Sequence, residues 1–419
     1  MLTRREAFIA AGGVALATHA ATMARAAPKP KRSSPDALAR DEPFWKLIAG
    51  AYNLDGRYII LNGGGNNPHP SAVTDALSTF NALTSSAPRP HNYRLLAHKE
   101  QIRKRLADHF GCDQTELAIT RNTTEGLNIV AWGLDLQRGD EVLISRYDDF
   151  YAGAIFEQRA ARHGIVAKLV DLPLSPSADD VVSRFAAMMT QRTKLLVASH
   201  LTDGWGFVLP IKALSDLGRR SGARLLCDGA LTFGHIPIDV RELGCDYYAT
   251  SLHKHLTAPL GTGALYVRGD RIEELWPLYG VRHDPQDVRK FESVGTRSGP
   301  TVAAIAQALD FYEQVGPENK AARMRYLSEL AEADLEGVEG VRFITERNPA
   351  LRTGLARVAV DGITGLELTK ILREKFRIFT FGNAPGPDDG VYISPNLFNT
   401  PRHMRAFSQA IRTIAADLG

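Results

Sequence analysis

Cysteine is scarce in this chain, with three residues in 419, Cys112, Cys227 and Cys245, and no C-x-x-C pair. Metal clusters of thiolates and dithiol redox motifs need closely spaced cysteines, so neither is supported. Cys227 and Cys245 stand in apolar, strand-like stretches and read as buried, inert thiols. Long apolar runs are missing too. The longest, Ile9 to Ala21, falls short of the roughly 20 residues a bilayer span needs, which argues against membrane insertion. Charge of one sign is also lacking. The formal net charge is +3, and residues 1–26 hold three arginines and one glutamate, so the remainder carries +1. No basic patch calls for a nucleic-acid partner. Internal repeats and low-complexity tracts are absent.

What is present begins with a leader. Thr3-Arg4-Arg5-Glu6-Ala7-Phe8 is a twin-arginine start, the soft apolar run follows, and Ala24-Arg25-Ala26 offers small residues at both cleavage positions. Residues 1–26 therefore read as a bacterial Tat signal, with the Tat export machinery as partner and a periplasmic or exported location. Ala27 to Pro35, rich in Pro, Lys and Ser, reads as a disordered linker, part of a linker and N-terminal arm over residues 27–60. From Asn62 onward strands and helices alternate. Strands are expected at Leu117–Thr120, Glu141–Ser145, Lys194–Ser199, Ala223–Cys227, Tyr247–Thr250 and Gly263–Val267, with helices between them. This predicts an α/β large domain with a mostly parallel sheet over residues 61–298. After Gly299 two long helical stretches, then short strands and helices, predict a smaller α+β domain over residues 299–419.

Three features carry chemistry. Thr120 to Asn128, "TRNTTEGLN", joins a strand end to a helix start, so Asn122, Thr123 and Thr124 offer polar groups and free N–H donors to an anion. Asp228 closes the apolar strand "ARLLC", where a carboxylate faces the ligand crevice. Lys254 lies in "SLHKHL" between His253 and His255, and an amine beside cationic groups becomes a better nucleophile. Read singly, each also fits a structural role: a helix cap, a turn cap, a solvated lysine.

Taken in order and spacing, these stretches resemble the class V aminotransferases, the group that includes isopenicillin N epimerase and the cysteine desulfurases. The likeness runs from "LNGGGNNPHPSAV" through "SHLTDGWGFVLPI", "DGALTFGHIPIDVRELGCDYYATSLHKHL" and "SVGTRSGPTVAAIAQALDFYEQVG" to "VYISPNLFNT". It implies the fold of the PLP-dependent transferases (aspartate aminotransferase fold type I) and pyridoxal 5′-phosphate as cofactor. Lys254 would be the Schiff-base lysine and proton shuttle, and Asp228 would pair with the pyridinium nitrogen. Asn122, Thr123, Thr124, Ser251 and His253 would surround the phosphate. Phe150 or Tyr151 falls where the family stacks a ring, and His200 would face the cofactor. Gly295-Thr296 matches the segment that reaches the partner subunit's phosphate, which implies a homodimer.

Departures from the pattern bear on the reaction. Leu231 replaces the usual His or Gln near the cofactor's phenolic oxygen. Tyr392 replaces the arginine that grips a substrate α-carboxylate, and a phenol cannot form that bidentate pair. Asn396 and Phe398 replace His and Tyr. No cysteine lies between Gly340 and Pro385, where a desulfurase nucleophile is expected. The implied activity is that of a periplasmic PLP enzyme on a primary amine of a peptide-like or secondary metabolite. An aminotransferase on amino acids and a catalytically silent binding protein are the alternatives.

Overall fold

The structure, a computed structural model, describes residues 33–280, 282–346, 348–382 and 389–418, apart from the side chains of residues 149 and 150. The leader at residues 1–26 and residues 27–32 of the linker lie outside the described residues. The linker reading ends too late. Pro35 is the first residue of α1 (Pro35–Ala39), whose first turn suits its fixed φ, and the Ser34 hydroxyl accepts from Ala37 N. In α2 (Glu42–Ala49), Trp45 and Ile48 are buried beside Tyr52, Phe311 and Phe398. The arm is thus packed structure. Its last element, β1 (Ile59–Ile60), leads into three consecutive helices: α3 (Ser71–Ser86), α4 (Pro88–Leu96) and α5 (Lys99–Phe110). The strand–helix alternation expected from Asn62 begins only after them.

The large sheet is then built from β2 (Leu117–Thr120), α6 (Thr123–Gly133), β3 (Glu141–Ser145), α7 (Ala154–His163), β4 (Val166–Val170), α8 (Ala178–Met188), β5 (Thr193–Ser199), α9 (Ile211–Ser221), β6 (Arg224–Asp228), β7 (Tyr247–Ser251) and β8 (Gly263–Val267). The strand order is β2-β8-β7-β6-β5-β3-β4, and only β8 runs against its neighbours. Helices cover both faces, so β3, β6 and β7 are buried almost along their whole length rather than on alternate residues. This is the mostly parallel sheet that the sequence predicted.

The chain then forms α10 (Gly299–Ala303), α11 (Ile305–Val315) and α12 (Pro317–Leu335). The division expected at Gly299 falls elsewhere in the packing. Val302, Ile305, Ala308, Leu309 and Tyr312 join one core with Ile102, Leu106 and Phe110 of α5, so α10 and α11 belong to the large unit. The C-terminal unit contains β9 (Val341–Ile344), β10 (Ala356–Val360), α13 (Gly365–Phe376), β11 (Ile378–Phe379), β12 (Val391–Ile393) and α14 (Pro401–Leu418). Its antiparallel sheet has the order β12-β10-β9. The arm's β1 pairs in parallel with β11, and Leu61 sits in the same core as Val358, Ile393 and Phe407. Among the described residues, no helix is long and apolar enough to cross a membrane.

Candidate active site

The parallel strands and β2 end at one edge, and the candidate residues follow those ends. Thr120 and Ser251 both stand opposite Gly263, which sets the ends of β2 and β7 level. Asn122 caps α6 by accepting from Glu125 N at 2.8 Å. Gly126 lets this helix lie against β7, since a Cβ there would come within 2.8 Å of the Ala249 Cβ. The close approach brings Thr123 N to 3.0 Å from the Ser251 hydroxyl, with the two hydroxyl oxygens 2.7 Å apart. Two buried hydroxyls and the positive end of a helix thus converge, a combination suited to a phosphate.

Asp228 lies at the end of β6, registered between Ser199 of β5 and Ala249 of β7. Its carboxylate is buried and accepts from Ala230 N at 2.8 Å. Burial pushes its pKa up to about 7, the nearby Asp148 carboxylate adds to the rise, and Lys254 pulls back. Asp148 is itself raised to about 6 by burial, against hydrogen bonds from the Ser199 N–H and hydroxyl. A buried carboxyl group in this state has the greatest need of a cationic partner, which a protonated pyridine nitrogen provides. His200 is buried, with its Nδ1 3.1 Å from the Tyr248 hydroxyl. Burial lowers its pKa to about 4, so the ring is neutral at physiological pH.

Lys254 lies three residues beyond β7, in a loop clamped from the arm side. Asn67 Nδ2 donates to the carbonyl oxygens of Lys254 and Gly63, and His69 Nδ1 lies 3.1 Å from Thr257 O. Thr257 adopts φ 62°, a left-handed conformation that a β-branched residue takes only when its surroundings enforce it. The amine's field reaches the Asp203 and Asp228 carboxyls. The histidines flanking it do not play the part expected of them. His253 Nδ1 donates to Thr262 O at 3.0 Å. Gly354 N–H donates to His235 Nε2, so the His235 proton sits on Nδ1 and faces His255 Nε2 at 3.2 Å. Burial lowers the pKa of both His253 and His255, leaving no cationic imidazole to activate the amine.

The departures have structural explanations. Leu231 is buried against Leu201 and Leu355. Phe398 packs edge-on to Tyr52 at 5.3 Å. The Asn396 Oδ1 accepts from the buried Lys320 ammonium, which also donates to His255 O and is pushed down to about 7 by burial. Tyr392, buried in β12, lies against Gly64 and Leu231; a Cβ on Gly64 would meet its hydroxyl at 3.3 Å. The arginines that could have substituted for a guanidinium at position 392 are engaged elsewhere: Arg297 donates to Ile119 O and Thr120 O, and Arg352 to Glu346 O and Glu332. A different arginine, Arg357, stands opposite Tyr392 in the β10–β12 ladder.

Other expected members are dispersed. Tyr151 is about half exposed, within the fields of Asp203 and Asp228, and the Phe150 side chain lies outside the described residues. Thr124 is exposed and lines an open cavity of about 750 Å³ with Arg121, Trp132, Arg162 and Tyr279. Thr296 is exposed, and Gly295 before it has φ 80°. Cys227 and Cys245 are buried with raised pKa values, as the apolar context suggested. Sequence reasoning missed Asp148, Asp203 and Arg357. Asp203 left a signal, a carboxylate three residues past His200, while Arg357 came to the site only through strand register.

Comparison with known proteins agrees with this geometry. The family model for aminotransferase class V matches residues 59–384. Isopenicillin N epimerase from Amycolatopsis lactamdurans is 32% identical over 399 residues, covering 88% of this chain and 98% of that protein. A probable cysteine desulfurase from Mycolicibacterium paratuberculosis is 31% identical over 406 residues, covering 90% of this chain and 58% of that longer protein. A solved structure of a C-DES mutant, with glycine covalently linked to its PLP cofactor, superposes with a TM-score of 0.78 at 25% identity, over 87% of this chain and 97% of that one. The chain belongs to the class V aminotransferase family of PLP-dependent enzymes. Its cofactor is pyridoxal phosphate, and the hydroxyl cup, buried carboxyl and loop lysine described above fit that group.

Proposed function

We propose that this PLP enzyme acts on a primary amine of a peptide-like or secondary metabolite, without a second amino-group carrier, as an epimerase, lyase, decarboxylase or oxidative tailoring enzyme. The observation that carries the reading is Tyr392, a buried phenol where a guanidinium would otherwise hold a free α-carboxylate. Pyridoxal phosphate, when bound, supplies an electron-poor ring that stabilises negative charge on the carbon bearing the substrate nitrogen. Lys254 would hold the cofactor and move a proton at that carbon through Nζ. Asp228 would keep the ring nitrogen protonated by its charge. Thr123, Ser251, the N–H groups at the start of α6 and His253 would hold the phosphate, with Thr296 of a second copy reaching the same group. His200, neutral, would pack against the cofactor. Residues 1–26 support export by the Tat route into a compartment poor in keto-acid acceptors, which disfavours transamination. Desulfuration is disfavoured by the lack of cysteine between residues 340 and 385.

The test is borohydride reduction of the purified protein followed by peptide mapping, then titration with amines while recording cofactor absorption and oxygen uptake. Label on Lys254 and saturable spectral change with peptide-linked or bulky amines are expected. Label on another lysine removes the site assignment. Tight saturation by ordinary amino acids restores the plain aminotransferase reading, and a colourless protein unchanged by added PLP indicates a silent binding protein.

A further inference from the structure

Asp203 has no part in the assignments above, yet it stands among their residues. It follows β5 by four positions, within "SHLTDGWG". The fields of Lys254 and Arg357 act on its carboxyl, and its own field acts on Asp228, Tyr151 and Tyr392. Its Oδ1 is fully buried and has no hydrogen-bond partner among the described residues. A buried carboxylate oxygen without a donor is costly, and the cost falls when a ligand supplies an N–H.

The loop bearing Asp203 is held in place. Arg357 Nε donates to Gly204 O at 2.9 Å, and its guanidinium lies 4.1 Å from the centre of the Trp205 ring. Gly204 has φ 73°, and a Cβ there would come within 2.5 Å of an Arg357 nitrogen, so this contact requires glycine. Tyr392 approaches the same residue, with a ring carbon 3.6 Å from that Cβ position. A buried carboxyl with an unpartnered oxygen and the ring of a tyrosine therefore meet around Gly204, and the field of Lys254 reaches that carboxyl.

An amino acid presents a carboxylate there, which an acidic side chain repels. An amide presents an N–H and a carbonyl oxygen side by side, the complement of an acceptor next to a donor. We propose that Asp203 determines specificity by accepting from the amide N–H of an α-amino amide, as at the amino end of a peptide-like substrate, while the Tyr392 hydroxyl donates to its carbonyl oxygen. This rests on the proposed function and names the substrate class of the same site.

The experiment titrates the PLP-loaded enzyme with matched pairs, L-alanine against L-alaninamide and L-phenylalanine against L-phenylalaninamide, and reads dissociation constants from the saturating change in cofactor absorption. In the wild type each amide should bind more tightly than its acid by on the order of ten-fold, the effect of one hydrogen bond to a charged group. Asp203→Asn and Asp203→Ser should each bring the ratio towards one. The dimethylamide of L-alanine, which has no amide N–H, should lose the advantage in the wild type, a comparison that needs no variant. A wild type that prefers the acids, or that binds the dimethylamide as tightly as the primary amide, overturns the role of Asp203 while leaving amine chemistry in place. A ratio unmoved in a folded, PLP-loaded variant does the same. Absence of any spectral response to amines, together with no borohydride label on Lys254, overturns the proposed function and this inference with it.

Discussion

Arg357 and Tyr392 are register partners across the β10–β12 ladder, and both side chains approach Gly204. The guanidinium holds the Gly204 carbonyl and stacks on Trp205, while the phenol lies against Gly64 and Leu231. Tyr392→Arg would add a second guanidinium with no such engagement. Free amino acids, which the proposed function expects to bind the wild type weakly, should then bind more tightly by roughly ten-fold, because a bidentate pair with their carboxylate becomes available. Spectral titration with common L-amino acids checks this; an unchanged dissociation constant would contradict the assignment of position 392.

Asp228→Asn should keep part of the PLP and lose most turnover, on the order of a hundred-fold, since an amide cannot hold the ring nitrogen protonated by charge. The check is PLP content alongside kcat for an accepted amine. Turnover near that of the wild type would reduce Asp228 to a turn cap for Ala230.

The pH dependence of stability should separate the PLP-free from the loaded protein. Asp228 and Asp148 are raised to about 7 and about 6, from an ordinary value of 3.8. Between pH 4 and 7 the folded, PLP-free chain therefore binds more protons at these groups than the unfolded chain does. Their contribution to stability is complete below pH 4 and is lost as pH rises through 6 and 7. Thermal melts across this range should show that fall in the PLP-free protein and a smaller one after loading, when a protonated ring nitrogen partners Asp228. Identical profiles would mean that the cofactor does not meet this carboxyl.

Thr296→Ala tests the proposed dimer. Its hydroxyl is exposed in the single chain, so a loss of PLP retention by several-fold would point to a contact made across subunits. Sedimentation with PLP quantification is the readout. A fully active monomer, or unaltered retention, would remove the shared site.

Much of the large sheet was legible because buried parallel strands are short apolar runs bounded by turn residues. Leu117–Thr120, Glu141–Ser145 and Gly263–Val267 agree to the residue. Helices α3 to α5 were missed. Their sequence, with prolines at 88 and 90 and a charged α5, has no strand between the helices to show the alternation. Lys254 and Asp228 were singled out from their places just past strand ends, which are local signals in a sequence. The roles of His253 and His255 were misjudged because the sequence shows neighbours but not burial, and burial removes their charge. Arg357 could not be read at all, since its place beside Tyr392 depends on pairing between strands more than thirty residues apart.

The pairing of β1 with β11 has a consequence for how the protein is made. Residues 59–69 supply a strand to the C-terminal unit and, through Asn67 and His69, hold the Lys254 loop. Asn62 bridges to Ser394, and Leu61 is buried with residues of α14. During synthesis this stretch leaves the ribosome long before its partners exist, and it must wait unpaired until nearly the whole chain has emerged. Closure of the lysine loop is therefore a late event in the life of each new molecule. A ribosome-bound chain truncated before β11 should not retain PLP, even though every strand of the large sheet has already been translated.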